Sequence, residues 1–195
     1  MHLQSTMTPI ILASGSPRRK ELLGLMGVPF EVVSLDTNES CDGTPHERVC
    51  LLAKRKAEDV ENLYPNRMIL AADTLVARDG QVLGKPSSFE EAVKMLLSLS
   101  NGWHEVYTGV CIKDSITGRI NIAYDRTQVL FSTLDEQTAS AYVKTGEPMD
   151  KAGAYAIQGR GGMFVEEIRG SASNVIGLPM ALVRKMLQEF GISVF

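Results

Sequence analysis

Three groups of charged side chains in this chain sit where an ordinary surface would not place them, and a fourth, Lys85, reads equally as a surface lysine. Arg18, Arg19 and Lys20 follow Ser14-Gly15-Ser16-Pro17 directly, in what the pattern predicts to be the first turn of a helix. The helix dipole puts about half a positive charge there, so each cation costs a few tenths of a kcal/mol upward unless an anion binds. Free N–H groups after the Ser-Gly-Ser turn point at the same spot, which makes a phosphate or carboxylate site with Ser14, Arg18 and Arg19 beside it. Consecutive residues fan out around a helix, so only one or two of the three cations reach a single ligand. The alternative is three solvated cations on a surface turn.

Lys56 is anomalous by its angle. At about 100° per residue it falls roughly 20° from Val49, inside the stripe formed by Leu52, Ala53, Val60 and Leu63. A lysine there must snorkel, pair with a carboxylate or reach into a cleft; Lys54 and Arg55 point elsewhere and read as solvent cations. Asp73 interrupts the apolar run Met68 to Ala77, and a carboxylate in a central strand needs a partner, a backbone amide or a metal. Its neighbour Thr74 faces the other side of a regular strand. Lys85, in Gly84-Lys85-Pro86, closes the return strand of the same hairpin. An anion-binding helix start, an inward lysine, a buried aspartate and a glycine-rich C-terminal third together point to a metal-assisted site for a phosphate ester or anhydride.

The elements that must position these residues alternate in type, which predicts an α/β layer architecture. Strand 9–13 turns into a helix with Ser16 as N-cap and Gly27 as stop. Strand 30–35 leads to a helix opened by the Thr44/Glu47 capping box and closed by Pro65. A strand over 68–77, an Asp79-Gly80 turn and a return strand 81–83 form a hairpin. Ser88 and Glu91 start a helix that ends at Asn101-Gly102. Strands 103–112 and 119–132 join around Thr117-Gly118, and Thr133 with Glu136 caps a helix reaching Lys144. Residues 146–177 read as turns around short strands, before a last amphipathic helix over 179–190.

The chain has 195 residues, enough for one domain or for two lobes sharing a cleft. Residues 1–8 read as an N-terminal extension and 9–195 as a single domain of two lobes. With 20 Lys+Arg against 23 Asp+Glu the net charge is −3, which lacks the field of a general nucleic-acid binder and points to a small polyanion partner. Cys41, Cys50 and Cys111 form no C-x-x-C and fit a reducing cytosol. His2, His46 and His104 make no zinc pattern, so a required metal would be a hard cation held by oxygen. No apolar run approaches the roughly 20 residues of a membrane span, and the start lacks an export signal; a cytoplasmic protein is expected. The glycines near Lys85 do not make a Walker A loop, Gly159-Arg160-Gly161-Gly162 is not a Rossmann turn, and no serine-hydrolase elbow is present.

Leu12-Ala-Ser-Gly-Ser-Pro-Arg-Arg19 with Glu21-Leu-Leu23 resembles the signature of the Maf family of nucleoside triphosphate pyrophosphatases. Ala71-Ala-Asp-Thr74, Gly84-Lys-Pro86, Thr108-Gly109, Asp150-Lys-Ala-Gly-Ala-Tyr155, Ile157-Gln-Gly159 and Asn174-Val-Ile-Gly-Leu-Pro179 match in the family's order, so the resemblance covers residues 9 to about 190. It implies a Maf/ITPase-like elongated α/β fold, with a central mixed sheet flanked by helices and two lobes around a deep cleft. It also implies a cytoplasmic, homodimeric enzyme that splits a nucleoside triphosphate into monophosphate and pyrophosphate with Mg²⁺ or Mn²⁺, touching neither nucleic-acid polymer nor membrane.

Carried over by position, Asp73 matches the proton acceptor, and Ser14, Arg19, Glu39, Lys56 and Lys85 match polar positions of the cleft. On those roles Arg18 or Arg19 would hold phosphate, Lys56 and Lys85 would offset leaving-group charge, and Glu39 with Asp73 would face the metal. Arg18, Thr74 and Gln158 follow the subgroup acting on dTTP and UTP, whose house-cleaning of the nucleotide pool carries a link to cell-division arrest. Ala172 departs from the aromatic residue common after Gly-Ser. The alternatives are a 7-methyl-GTP or purine-directed pyrophosphatase, and a non-catalytic nucleotide-binding regulator of septum formation.

Overall fold

A computed structural model describes residues 8–194; all but Thr8 of the extension read at 1–8 lies outside the described residues. The elements are β1 (Ile10–Ala13), α1 (Pro17–Leu25), β2 (Phe30–Val33), α2 (Pro45–Leu63), β3 (Met68–Arg78), β4 (Gln81–Leu83), α3 (Phe89–Leu99), β5 (Gly102–Asp114), β6 (Ile120–Phe131), α4 (Glu136–Val143), β7 (Val165–Arg169), α5 (Ala172–Ile176) and α6 (Met180–Glu189). Three 3-10 turns, Glu147–Asp150, Ala152–Ala154 and Arg160–Phe164, fill the stretch after α4. The strands form one seven-stranded mixed sheet in the order β2-β1-β3-β5-β6-β7, with β4 paired to β3. β2, β1 and β3 are parallel, while β5, β6 and β7 run antiparallel.

Local chemistry accounts for most boundaries. Ser16 caps α1, with Pro17 pre-set for its first turn, and Gly27 leaves it at φ +70°. The Thr44 N–H donates to Glu47 at 2.9 Å at the start of α2. Asp79 and Gly80 both adopt positive φ, the geometry of a tight hairpin turn. Two expectations change. α4 is capped by Asp135, which accepts the Thr138 N–H at 2.7 Å, and not by Thr133. Ser100 Oγ takes the Leu134 N–H at 2.7 Å and donates to the Leu134 carbonyl, holding that residue outside the helix. The glycine-rich segment also contains a helix, α5, bracketed by Gly170 and Gly177 at φ +130° and +122°.

The period of two along β3 divides the molecule. Leu70, Ala72, Thr74 and Val76 face one side; Ile69, Ala71, Asp73, Leu75 and Ala77 face the other. On the first side, α1 and α6 pack Leu22, Leu23, Val183 and Met186 over Leu12, Leu70 and Val110. Further along that face, α3, α4 and the 3-10 turns cover Val76, Val106 and Phe131. β3, β5 and β6 run unbroken under both clusters. On the opposite face, α2 lays Ala53, Ala57 and Val60 against Ile11, Ile69 and Ala71. It lies so close that a Cβ on Gly109 would overlap the Val49 carbonyl.

His104 is buried under the second cluster, edge-on to Phe131 and Tyr155, with Nε2 2.8 Å from the Tyr155 hydroxyl. Burial, then the charge of Arg78, pushes its imidazole down to about 3. The unfolded chain takes up this proton near pH 6.5 and the folded chain only near 3. This contribution is therefore complete above pH 6.5 and is lost as pH falls toward 3, by about 1.4 kcal/mol per pH unit. Urea denaturation of the native chain and His104→Gln checks it: the native chain's advantage at pH 7 shrinks steadily between pH 6.5 and 4.

Candidate active site

The cleft exists because β3 loses its neighbour on one edge. β1 stops at Ala13, opposite Ala71, and β4 begins pairing only at Val76, opposite Leu83. Between them Ala72 to Leu75 have β5 on one side and no strand on the other. This gap lies at the carboxyl ends of parallel strands, where open α/β sheets characteristically bind ligands. A cavity of ≈ 830 Å³ opens there, between the α1 start and the 3-10 turns. Residues from both faces of the sheet reach it through the gap.

All nine residues singled out above line this cavity: Ser14, Arg18, Arg19, Glu39, Lys56, Asp73, Thr74, Lys85 and Gln158. Asp73 and Lys56 form its centre. The Lys56 ammonium projects from α2 and donates to Asp73 Oδ1 at 2.6 Å and to Glu39 Oε1 at 2.9 Å. Lys56 and Asp73 are largely shielded, their side chains 16 % and 11 % exposed, whereas Glu39 is half open. The second Asp73 oxygen has no protein partner among the described residues. Burial opposes ionisation of Glu39, yet the Lys56 hydrogen bond and charge, with Lys85 and Arg19 beyond, hold its carboxyl below the usual range.

Thr74, on the opposite face, belongs to a second network. Arg19 donates Nη2 to Thr74 Oγ1 at 3.0 Å, Nη1 to Ser14 Oγ at 3.2 Å and Nε to the Gly177 carbonyl at 2.8 Å. Thr74 Oγ1 lies 2.9 Å from Thr108 Oγ1, which donates to the Asn174 carbonyl. Arg19 thus ties the α1 start to β3 and α5. Burial lowers its pKa, countered by Asp73, while the Arg18 charge pushes the same way as burial. Arg18 is less tied: its buried Nε has no partner among the described residues. Burial lowers the Arg18 pKa too, against the charges of Asp150 and Glu147 across the cleft. Of the three consecutive cations only Lys20 turns away to solvent.

Lys85 makes no ion pair among the described residues, and Gln158 no hydrogen bond; both are exposed at the cleft wall. Arg55 is not a solvent cation. Its guanidinium donates to the Asn38 and Ser40 carbonyls at 3.3 and 2.7 Å, and Asp59 accepts from Thr37 at 2.7 Å. α2 therefore pins both flanks of Glu39. No spacing signal links Arg55 to a loop so far upstream. The three cysteines are free, as their spacing suggested.

Fold and site together define a mixed-sheet α/β protein whose cleft gathers Arg18, Arg19, Lys56 and Lys85 with Glu39 and Asp73. The Maf-like protein family matches residues 9–190, and this chain belongs to it. It is 44% identical over 190 residues to the dTTP/UTP pyrophosphatase of Pelotomaculum thermopropionicum, covering 96% of this chain and 100% of that one. The dTTP/UTP pyrophosphatase of Bacillus pumilus is 44% identical, over 97% and 100% of the two chains. That of Caldicellulosiruptor bescii is 45% identical, over 95% and 96%. A HAM1 protein from Coxiella burnetii shares the fold, with TM-score 0.53 at 14% identity over 94% of this chain and 100% of that one.

Removing one partner of a shielded ion pair leaves an uncompensated charge, at a cost of about 3–5 kcal/mol. Lys56→Met is expected to lose about 3 kcal/mol in denaturation at pH 7, and Lys56→Met with Asp73→Asn to recover most of it.

Proposed function

We propose that this chain is a nucleoside triphosphate pyrophosphatase acting on dTTP and UTP. One observation carries the chemistry: a lysine clamped between two carboxylates at an open sheet edge, facing a helix start bearing Arg18 and Arg19. A cavity of this volume is in the range of small-molecule sites. Family membership and near-full-length relatives named for this activity support the same reaction.

Hydrolysis of the α–β anhydride forms a bond from water oxygen to phosphorus, breaks the bond to the bridging oxygen and releases monophosphate and pyrophosphate. The unpartnered Asp73 oxygen takes the proton of the attacking water, while Lys56 holds the other oxygen and fixes the orientation of the carboxylate. Lys56 and Lys85 offset the charge that develops on the pyrophosphate. Ser14, Arg18 and the α1 start hold phosphate oxygens. Arg19, already committed to three partners, supports that start from behind. Gln158, with an amide donor and an acceptor, suits the alternating carbonyl and N–H edge of uracil or thymine. Arg18 and Thr74 complete the pyrimidine-directed set.

The donor set fits a hard divalent cation, Mg²⁺ or Mn²⁺. Glu39 and Asp73 offer oxygen, and no group of three His, Cys, Asp or Glu side chains forms a closed cage among the described residues. Mg²⁺ is commonly bound by one or two carboxylates, with phosphate oxygens and water completing its shell. Such a cation would neutralise triphosphate charge. No helix among the described residues is long and apolar enough to cross a membrane. Family membership is what supports reading the enzyme as a cytoplasmic homodimer.

Pyrophosphate release with Mg²⁺ across a panel of triphosphates tests this reading, with dTTP and UTP expected to turn over fastest. Preference for 7-methyl-GTP or another purine nucleotide would reassign the substrate, and binding without turnover would make the chain a regulator. Asp73→Asn should lower kcat by roughly a hundredfold or more when assayed below its own, lowered melting temperature, where circular dichroism finds the variant folded; near-native turnover would remove Asp73 from the mechanism.

A further inference from the structure

The segment that carries Gln158 is wrapped around a single carboxylate that belongs to another turn. Glu147 opens the first 3-10 turn after α4. Its Oε1 accepts from the Tyr142 hydroxyl at 2.7 Å and from the Gly161 N–H at 3.1 Å, and its Oε2 accepts the Arg160 N–H at 3.1 Å. The Tyr142 hydroxyl accepts the Ala156 N–H at 3.2 Å. The backbone is thereby held on both sides of Gln158, at Ala156 through Tyr142 and at Arg160 and Gly161 directly. Tyr142 is buried in the core of the outer cluster, so the anchor is rigid.

Sterics agree with the hydrogen bonds. A Cβ on Gly159 would overlap the Glu147 carboxylate, and one on Gly161 would stand 2.6 Å from the Tyr142 hydroxyl. The glycines beside Gln158 are therefore spaces for this carboxylate and its anchor. The Gln158 side chain makes no hydrogen bond among the described residues, so what the fold fixes is the position of the backbone from which it reaches. Burial opposes ionisation of Glu147, but the Tyr142 bond and the two backbone N–H bonds hold its carboxyl below the usual range. The same negative charge acts on Arg18 across the cleft.

We propose that Glu147 is the positioning residue of the nucleobase-reading loop: its carboxylate, held by Tyr142, gathers the backbone of 156–161 and aims Gln158 at the pyrimidine edge. This rests on the assignment of Gln158 as the base reader. Neutral Gln at position 147 keeps the shape, but turns an NH₂ toward groups that are themselves donors. The loop then loses its fixed aim, while the hydrogen bonds of the phosphate site on α1, α2 and β3 stay in place and the lost charge across the cleft from Arg18 acts on every triphosphate alike.

The test combines Glu147→Gln, Gln158→Ala and the double variant, assayed with dTTP, UTP, ATP and GTP, with amide hydrogen exchange of residues 156–161. Glu147→Gln is expected to speed exchange at Arg160 and Gly161. It should also lower kcat/KM for dTTP and UTP by roughly ten- to a hundredfold, mainly through KM. Purine turnover should stay within about twofold, and the double variant should be no worse than Gln158→Ala. Unchanged exchange, or equal losses on all four nucleotides, overturns the positioning role. If the losses of the two single variants multiply in the double variant, the residues act independently and the proposal fails. If Gln158→Ala alone keeps full pyrimidine preference, the base-reading assignment fails and takes the aiming role with it, while faster exchange in Glu147→Gln still shows the staple.

Discussion

A carboxylate in the middle of an apolar strand needs a partner, and in this protein the partner that comes to Asp73 is Lys56. The contact at 2.6 Å sets conditions on much of the molecule. α2 must lie flat along the sheet with Lys56 turned inward, which requires β5 to present no side chain where the helix backbone passes; Gly109 meets that requirement. Glu39 must come to the other side of the ammonium, which requires its loop to be fastened, and Arg55 and Asp59 on the same helix fasten it. Desolvating two charges is expensive, and the geometry that compensates for it also leaves one carboxylate oxygen of Asp73 facing the cleft.

Asp73 and Thr74 cannot share a sheet face, because successive strand side chains point to opposite sides. Both nonetheless line one cavity. The sheet edge is missing between the end of β1 and the start of β4, so the cavity passes around β3 and receives groups from above and below. One face supplies the carboxylate–lysine centre from α2. The other supplies the Arg19 network, which fastens the α1 start to Thr74 and Gly177. The pairing of two apolar clusters on one face with a single helix on the other follows from the same long strands.

Much of this was legible from residue order. The alternation of strands and helices, the Ser16 and Thr44 caps and the Asp79-Gly80 turn depend on local backbone chemistry, which sequence reports directly. The anomalies at Lys56 and Asp73 were legible because a charge out of its periodic phase is improbable without a partner. Other features depended on distant contacts. Thr133 with Glu136 reads as the cap of α4, until Ser100 takes both backbone groups of Leu134 and Asp135 becomes the cap. The glycines of 146–177 read as turns, yet two of them bracket α5 and two make room for Glu147 and Tyr142. Arg55 reads as a solvent cation because nothing in spacing shows a loop returning to it.

The sequence by itself determined most of the elements, the phase of most side chains on them, and the residues that an uncharged interior could not accept unpaired. Only the tertiary structure decided the partners: Lys56 with Asp73 and Glu39, Arg19 with Thr74 and Gly177, Glu147 with the loop around Gln158. The reason is that phase and capping are set by neighbours within a turn or two. A partner, by contrast, is chosen by where chain ends and gaps fall once the sheet is assembled, and here the decisive gap is the edge of β3 left open from Ala72 to Leu75.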